Sequence, residues 1–212
     1  MRWRPWWKRH PGGDPSRWLV VDVETSGLDA ARDRLLAIAA IAVRVDWPSG
    51  RLAIVLGDSF EVVLRQEAPS TRENILLHGI GVQRQKEGIA PAQAMAGFAA
   101  FAGDAPLLAF HAAFDRALVG RYARSALGAA MPNAWLDIEH LCAVTHPWVP
   151  ARSLDEWLAH FGIRCAARHQ ASADALAESE LLLRIWPRVA GECASWQDVE
   201  RLAGQHRWVA RA

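Results

Sequence analysis

Residues Trp18 to Asp29 read WLVVDVETSGLD, and the rest of the chain is arranged around this stretch. It opens as the apolar run Leu19–Val21, short and rich in Val, as a buried strand is. Asp22 and Glu24 follow. Side chains alternate along a strand with period two, so these two carboxylates leave the same face, one pleat apart. Two acids on one face of a buried strand repel each other and resist desolvation. A hard cation such as Mg²⁺ or Mn²⁺, which prefers oxygen ligands, is the simplest compensation. Thr25, Ser26 and Gly27 then turn the chain, where hydroxyls and backbone N–H groups can meet a ligand. Taken alone, D-x-E reads equally as a strand end carrying two solvated acids.

The flanking sequence bounds the fold. At 212 residues, 51% of them hydrophobic, the chain suits one domain with short extensions. The longest clear apolar run, Leu35 to Val43, lies between Arg34 and Arg44 and is too short to span a membrane. The N-terminus lacks the continuous apolar core of a signal peptide. Cys142, Cys165 and Cys193 are far apart and odd in number, which fits a reducing cytosol and a cytoplasmic protein. Net charge is +1, and Arg2, Arg4, Lys8 and Arg9 concentrate positive charge in the first ten residues. The slightly acidic remainder is a poor non-specific duplex binder, so nucleic-acid contact is expected at a short end.

In chain order, residues 1–17 form an arm with Trp3, Trp6 and Trp7 among basic residues. Such an arm either stacks on single strands or packs on the domain or a second copy. Leu19–Glu24, Leu35–Val45 and part of Arg51–Arg65, interrupted near Gly57-Asp58, predict an antiparallel meander. A loop carrying Leu77-His78-Gly79-Ile80 precedes a helix over Pro91–Ala102. A strand over Pro106–Phe110, a helix over Phe114–Ala126 and a short strand over Ala134–Ile138 come next. Ser153 and Glu156 spell a capping box for a helix ending before Gly162. A further helix spans Ala171–Trp186, ended by Pro187, and a tail helix starts at Ser195. A meander followed by alternating helices and strands implies a mixed sheet covered by helices.

Two more acids fit the first pair. Asp115 follows the strand over Pro106–Phe110, and ligands collect where strands end in such sheets; alone, it is an ordinary residue of a helix's first turn. In Arg168-His169-Gln170-Ala171-Ser172-Ala173-Asp174, Asp174 falls in a helix's first turns and His169 on the loop before it.

In this order DVETSGL, HAAFD and HQASAD resemble the three motifs of the DEDDh (DnaQ-like) 3′–5′ exonucleases, over roughly Leu19 to Trp186. Leu77-His78-Gly79-Ile80 and Ser153-Leu154-Asp155 resemble further segments of that family. The resemblance implies a ribonuclease-H-like α/β fold, a mixed five-stranded sheet with helices on both faces. It implies an exonuclease domain over residues 18–188, with a helical tail over 189–212. Asp22, Glu24, Asp115 and Asp174 become ligands of two Mg²⁺ or Mn²⁺ ions, and His169 the general base. Thr25, Ser26, Gly27, Leu28, His78, Gly79 and Phe114 become contacts to the terminal nucleotide. The implied reaction is hydrolysis of terminal phosphodiesters at single-stranded DNA or RNA 3′ ends, releasing 5′-mononucleotides. Phe110-His111 depart from the family's usual His-Asn in the second motif. A non-catalytic module binding nucleic acid or protein on the same fold is the alternative. A polymerase or a second copy is the candidate protein partner; beyond Pro187 no polymerase-binding segment stands out, as expected of a free-standing enzyme.

Overall fold

The computed structural model describes residues 15–209. Trp3, Trp6 and Trp7 of the expected arm lie outside the described residues.

Five strands form one sheet: β1 (Arg17–Thr25), β2 (Leu35–Asp46), β3 (Arg51–Val63), β4 (Leu107–Ala109) and β5 (Trp135–Asp137), in the order β3-β2-β1-β4-β5. β1, β2 and β3 pair antiparallel, as short turns require, while β4 and β5 continue the sheet parallel to β1. The mixed five-stranded sheet expected from the sequence is present. The interruption expected near Gly57-Asp58 is a bulge within a continuous strand. Ile41 pairs with Ser59 and Ala42 with Val55, so residues 56–58 are extruded without ending β3.

β1 is buried on both faces, and its alternation assigns each residue to a layer. Leu19, Val21 and Val23 pack with α3 (Pro91–Ala102) and α4 (Ala113–Leu127). Trp18 and Val20 pack on the other face, against α5 (Ile138–Thr145), α6 (Leu154–Phe161) and α7 (Ala171–Glu192). Asp22 and Glu24 continue the Trp18–Val20 face, so they look toward α7. That helix comes close because the facing positions are small: Ala171 and Ala175 pack on Ala39, which pairs with Asp22.

Three features differ from the sequence reading. The segment expected as a loop before Pro91 holds two short helices, α1 (Arg72–His78) and α2 (Val82–Glu87). Thr71 caps the first, Gly79 ends it in the left-handed conformation, and none of its residues is fully buried, so it leaves no apolar period to read. Pro187 does not end α7. It sits on the exposed side of the helix, while Ile185, Trp186 and Val189 hold the last turns in the core. α7 therefore crosses the boundary expected at residue 188, and α8 (Trp196–Ala203) buries Val199 and Leu202 in the same core. Trp18, Trp47, Trp186 and Trp196 form one cluster there, with Trp18 ring centroids 4.8–5.9 Å from the other three.

Candidate active site

β4 pairs with β1 only at Leu19 and Val20. Beyond that point the last pleats of β1 lie at the open carboxyl end of the sheet, and two helix starts converge there. α7 brings Asp174 in its first turn over the Asp22 face, and α4 brings Asp115 in its first turn from the opposite layer. Carboxylate oxygens of Asp22, Glu24 and Asp174 lie within 4.8 Å of one another. Asp115 stands outside that trio because it arrives from the other side of the sheet. Its carboxylate is buried and held by its own N–H and that of Val23, whose edge β4 leaves open.

The cleft around these acids is lined by Asp22, Glu24, Thr25, Leu28, His78, Phe114, His169 and Asp174, all expected from the sequence. Ser26, Gly27 and Gly79 brace the backbone instead of lining it. Ser26 Oγ donates to Asp33 Oδ1 at 2.9 Å and accepts from the Arg34 N–H at 2.9 Å. At Gly27 an added Cβ would lie 2.5 Å from Asp33 Oδ2, so a larger residue would displace the carboxylate that holds Ser26 and the Asp29 N–H. Gly79 is the left-handed cap that stops α1 just after His78. Asn74 of α1 donates to the Thr25 carbonyl at 2.7 Å, which ties that helix to the end of β1.

Charge in the cleft is heavily negative. Burial first, then the charges of Glu178, Asp115, Glu24 and Asp174, raise the pKa of Asp22 well above the usual carboxylate range. Burial, reinforced by Asp137 and Glu24, pushes Asp115 up to about 8. His78 touches Glu24 Oε2 through Nδ1. Burial alone would lower its pKa; the hydrogen bond and charge of Glu24, with the His169 carbonyl, outweigh that and raise it. Glu24 Oε1 is buried with no hydrogen-bond partner among the described residues.

Asp174 is held from the loop before α7. Arg168 and the Cys165 thiol approach Oδ1, and the His169 N–H donates to Oδ2 at 2.8 Å. Arg168 also reaches Asp155 on α6, with Nε 2.5 Å from Oδ1. His169 has φ of 62°, a left-handed conformation that a non-glycine residue adopts at a cost. Its ring meets that of His78 edge-on, centroids 6.2 Å apart.

Sequence reasoning missed Glu178. It lies one helical turn beyond Asp174, is buried, lines the cleft and accepts the Phe110 N–H at 3.1 Å. An acid four residues after Asp174 on the same helix was the available signal. Burial and the Asp115 charge raise its pKa strongly. The departure at Phe110-His111 is a tight bend: His111 has φ of 60°, its N–H is held by Asp137 Oδ1 at 3.0 Å, and both residues line the cleft.

These residues fit a divalent cation. The close trio offers only hard oxygen donors, one buried carboxylate oxygen has no partner, and neighbouring acids repel one another without a compensating charge.

Fold and site together define a protein of the ribonuclease-H-like exonuclease class. The family model described as Exonuclease, of RNase T type, matches residues 19–182, and the chain belongs to that family. It is 31% identical over 171 residues to a DNA polymerase III PolC-type protein of Halalkalibacterium halodurans, covering 80% of this chain and 11% of that protein. It is 32% identical over 179 residues to a DNA polymerase III subunit epsilon-like protein of Rhodobacter capsulatus, covering 82% of this chain and 24% of that one. The chain thus spans a small part of the length of these relatives. Among solved structures, E. coli exonuclease I in complex with a dT13 oligonucleotide shares the fold, with TM-score 0.67, 20% identity, and coverage of 82% of this chain and 41% of that one. Among the described residues, no helix is long and apolar enough to cross a membrane.

Proposed function

We propose that this chain is a 3′–5′ exonuclease that removes 5′-mononucleotides from single-stranded nucleic acid ends with two Mg²⁺ or Mn²⁺ ions. The observation that carries the proposal is the clustering of Asp22, Glu24 and Asp174 oxygens within 4.8 Å beside His169, in one cleft. Asp22, Glu24 and Asp174, with Asp115 behind them, would hold the cations. When bound, such ions activate water and neutralise charge on the leaving oxygen. His169 accepts the proton of the attacking water, an imidazole being suited to that near neutral pH. The hydrogen bond from its N–H to Asp174 fixes where the ring is presented. Thr25, Leu28, His78 and Phe114 seat the terminal nucleotide; Ser26, Gly27 and Gly79 act by shaping the backbone around it. The oligonucleotide bound to E. coli exonuclease I supports a single-stranded substrate.

The test is time-resolved digestion of 5′- and 3′-labelled single-stranded DNA and RNA with Mn²⁺, Mg²⁺ or EDTA. Immediate release of the 3′ label as a mononucleotide, abolished by EDTA, is expected. Release of the 5′ label first, or activity indifferent to EDTA, overturns the proposal. The relatives are DNA polymerase III chains, which supports a polymerase partner as a second reading; co-sedimentation with the replicative polymerase of the same source tests it.

A further inference from the structure

Both oxygens of Asp174 hold donors from the chain itself. Oδ1 takes Arg168 Nη1 and, at 3.3 Å, the Cys165 thiol; Oδ2 takes the His169 N–H at 2.8 Å. Among the described residues that line the cleft, Arg168 is the only lysine or arginine, set against the carboxylates of Asp22, Glu24, Asp155, Asp174 and Glu178. Its guanidinium spans two of these acids instead of closing on one. Nη1 faces Asp174, and Nε lies 2.5 Å from Asp155 Oδ1. The two acids differ in setting. The Asp174 side chain is 6% exposed and stands with Asp22 and Glu24, whereas that of Asp155 is 66% exposed at the rim. Asp155 is fixed there by the start of α6, where the capping box of Ser153 and Glu156 puts it in the first turn.

A guanidinium keeps its charge at every working pH and presents its donors as a rigid fork. On Asp174 it offsets the repulsion among neighbouring carboxylates, as a divalent cation would, but with one charge and from the rim. A cation held by Asp22, Glu24 and Asp174 would share Asp174 with a like charge at contact distance, which is repulsive. Asp155 provides the alternative. Nε holds it, so a turn of the guanidinium about that contact takes Nη1 off Asp174 while the charge stays at the mouth of the cleft. Asp174 keeps its orientation meanwhile, because the His169 N–H and the Cys165 thiol remain on it. We propose that Arg168 is an exchangeable counter-ion of the cation site, which holds Asp174 in the metal-free protein, gives it up when a cation loads, and is then retained by Asp155. Arg168 thereby weakens cation binding and stabilises the metal-free cleft. This rests on the exonuclease reading only for the class of cation.

The experiment is calorimetry with Mn²⁺ alone, without nucleic acid, on wild type, Arg168→Met, Asp155→Asn and the double variant. Arg168→Met should bind Mn²⁺ roughly three- to thirtyfold more tightly. It should also melt lower than wild type in EDTA and gain more from added Mn²⁺. Asp155→Asn should bind Mn²⁺ roughly two- to fivefold more weakly, because Arg168 then has Asp174 alone. In the double variant that loss should vanish; a loss of full size there means that the Asp155 charge acts on Mn²⁺ directly, and overturns the exchange. If Arg168→Met does not fold, Arg168→Lys takes its place. Its single ammonium cannot span both acids as the fork does, so it should also bind Mn²⁺ more tightly, by a smaller factor. Unchanged or weaker Mn²⁺ binding in the folded Arg168 variant makes Arg168 a brace that orients Asp174, and overturns the proposal while the exonuclease reading stands. If neither wild type nor the Arg168 variant binds Mn²⁺, the cation site fails and both readings fall.

Discussion

Trp18 and Glu24 leave the same face of β1, six residues and about 20 Å apart, and the two ends of that strand are built to opposite ends. At Trp18 every demand is met. The indole is fully buried, three other tryptophans surround it, and its N–H reaches the Pro15 carbonyl at 3.3 Å. At Glu24 the demands are left open: an unpartnered carboxylate oxygen, neighbouring acids whose pKa is raised by burial and then by one another's charge, and left-handed backbone at His111 and His169. The same pleat carries both, so burial alone does not mark a site; what marks it is polar groups that the fold assembles and does not satisfy. Folding free energy is gathered at one end and held back at the other.

Substitutions at the acid end should abolish activity without unfolding the chain. Asp22→Ala and Asp174→Ala are expected to lose more than about 10³-fold in kcat, and calorimetry should show Mn²⁺ binding sharply weakened in both. In EDTA the melting temperature of Asp22→Ala should hold or rise, because a repelling carboxylate is gone, whereas that of Asp174→Ala should fall, because Arg168, the Cys165 thiol and the His169 N–H lose their acceptor. Unchanged Mn²⁺ binding in both variants removes the metal assignment. His169→Ala, by comparison, should lose about 10²–10⁴-fold in kcat with Mn²⁺ affinity retained, since the four acids remain. An alanine variant with near-normal kcat would leave His169 as a structural loop residue.

The opposite end should behave the other way. Trp18→Ala removes the centre of the four-ring cluster and should cost about 3–5 kcal/mol of stability, read by urea unfolding. Below its new melting point kcat/KM should stay within a few-fold of wild type. If Trp18→Ala loses activity at temperatures where it is fully folded, the two ends are coupled and the contrast drawn along β1 fails.

What was legible in the sequence follows the same division. Period-two alternation from Leu19 to Glu24 gives the strand and the shared face of its acids, because a strand's geometry is local. Asp115, Asp174 and His169 are legible from motif order, since each sits where a strand or loop enters a helix. Glu178 is not, because an acid on the second turn of a helix reads as solvated until the helix is known to lie across β1. The contact between His78 and Glu24 needs α1, which has no fully buried residue and so no apolar period. The continuation of α7 past Pro187 depends on which face of the helix the proline occupies, and only the packed core decides that. Trp186 and Trp196 reach Trp18 by the same packing, across residues distant in the chain.

The acid end also makes stability depend on pH. Asp115 titrates in the fold at about 8, against an ordinary value of 3.8. Between those values the folded state binds more protons than the unfolded one, so stability of the metal-free protein falls as pH rises from about 4 to 8. One such group contributes at most about 1.4 kcal/mol per pH unit. Urea unfolding in EDTA at pH 5, 6, 7 and 8 should show the decline, with a shallower slope in Asp115→Asn and in wild type with Mn²⁺. A stability rising with pH over this window contradicts the assignment.

The smallest expected effect concerns an apolar side chain at each end. Trp18 is 0% exposed, whereas Leu28, at the mouth of the cleft, is 92% exposed. A leucine left in water contributes nothing to folding, so Leu28→Ala should leave the urea midpoint unchanged. Covered by a terminal nucleotide, the same side chain loses its water and gains on the order of 1 kcal/mol over alanine, given about 25 cal/mol per Å². That corresponds to about fivefold in binding. Leu28 touches neither the acids nor His169 in the hydrogen-bonding sense, so the gain is shared by ground and transition states and appears in KM alone. Leu28→Ala should therefore raise KM on a single-stranded 3′ end about fivefold at constant kcat. A fall in kcat with KM unchanged would place Leu28 in the chemical step instead, and a lowered urea midpoint would show that it packs on the fold as Trp18 does.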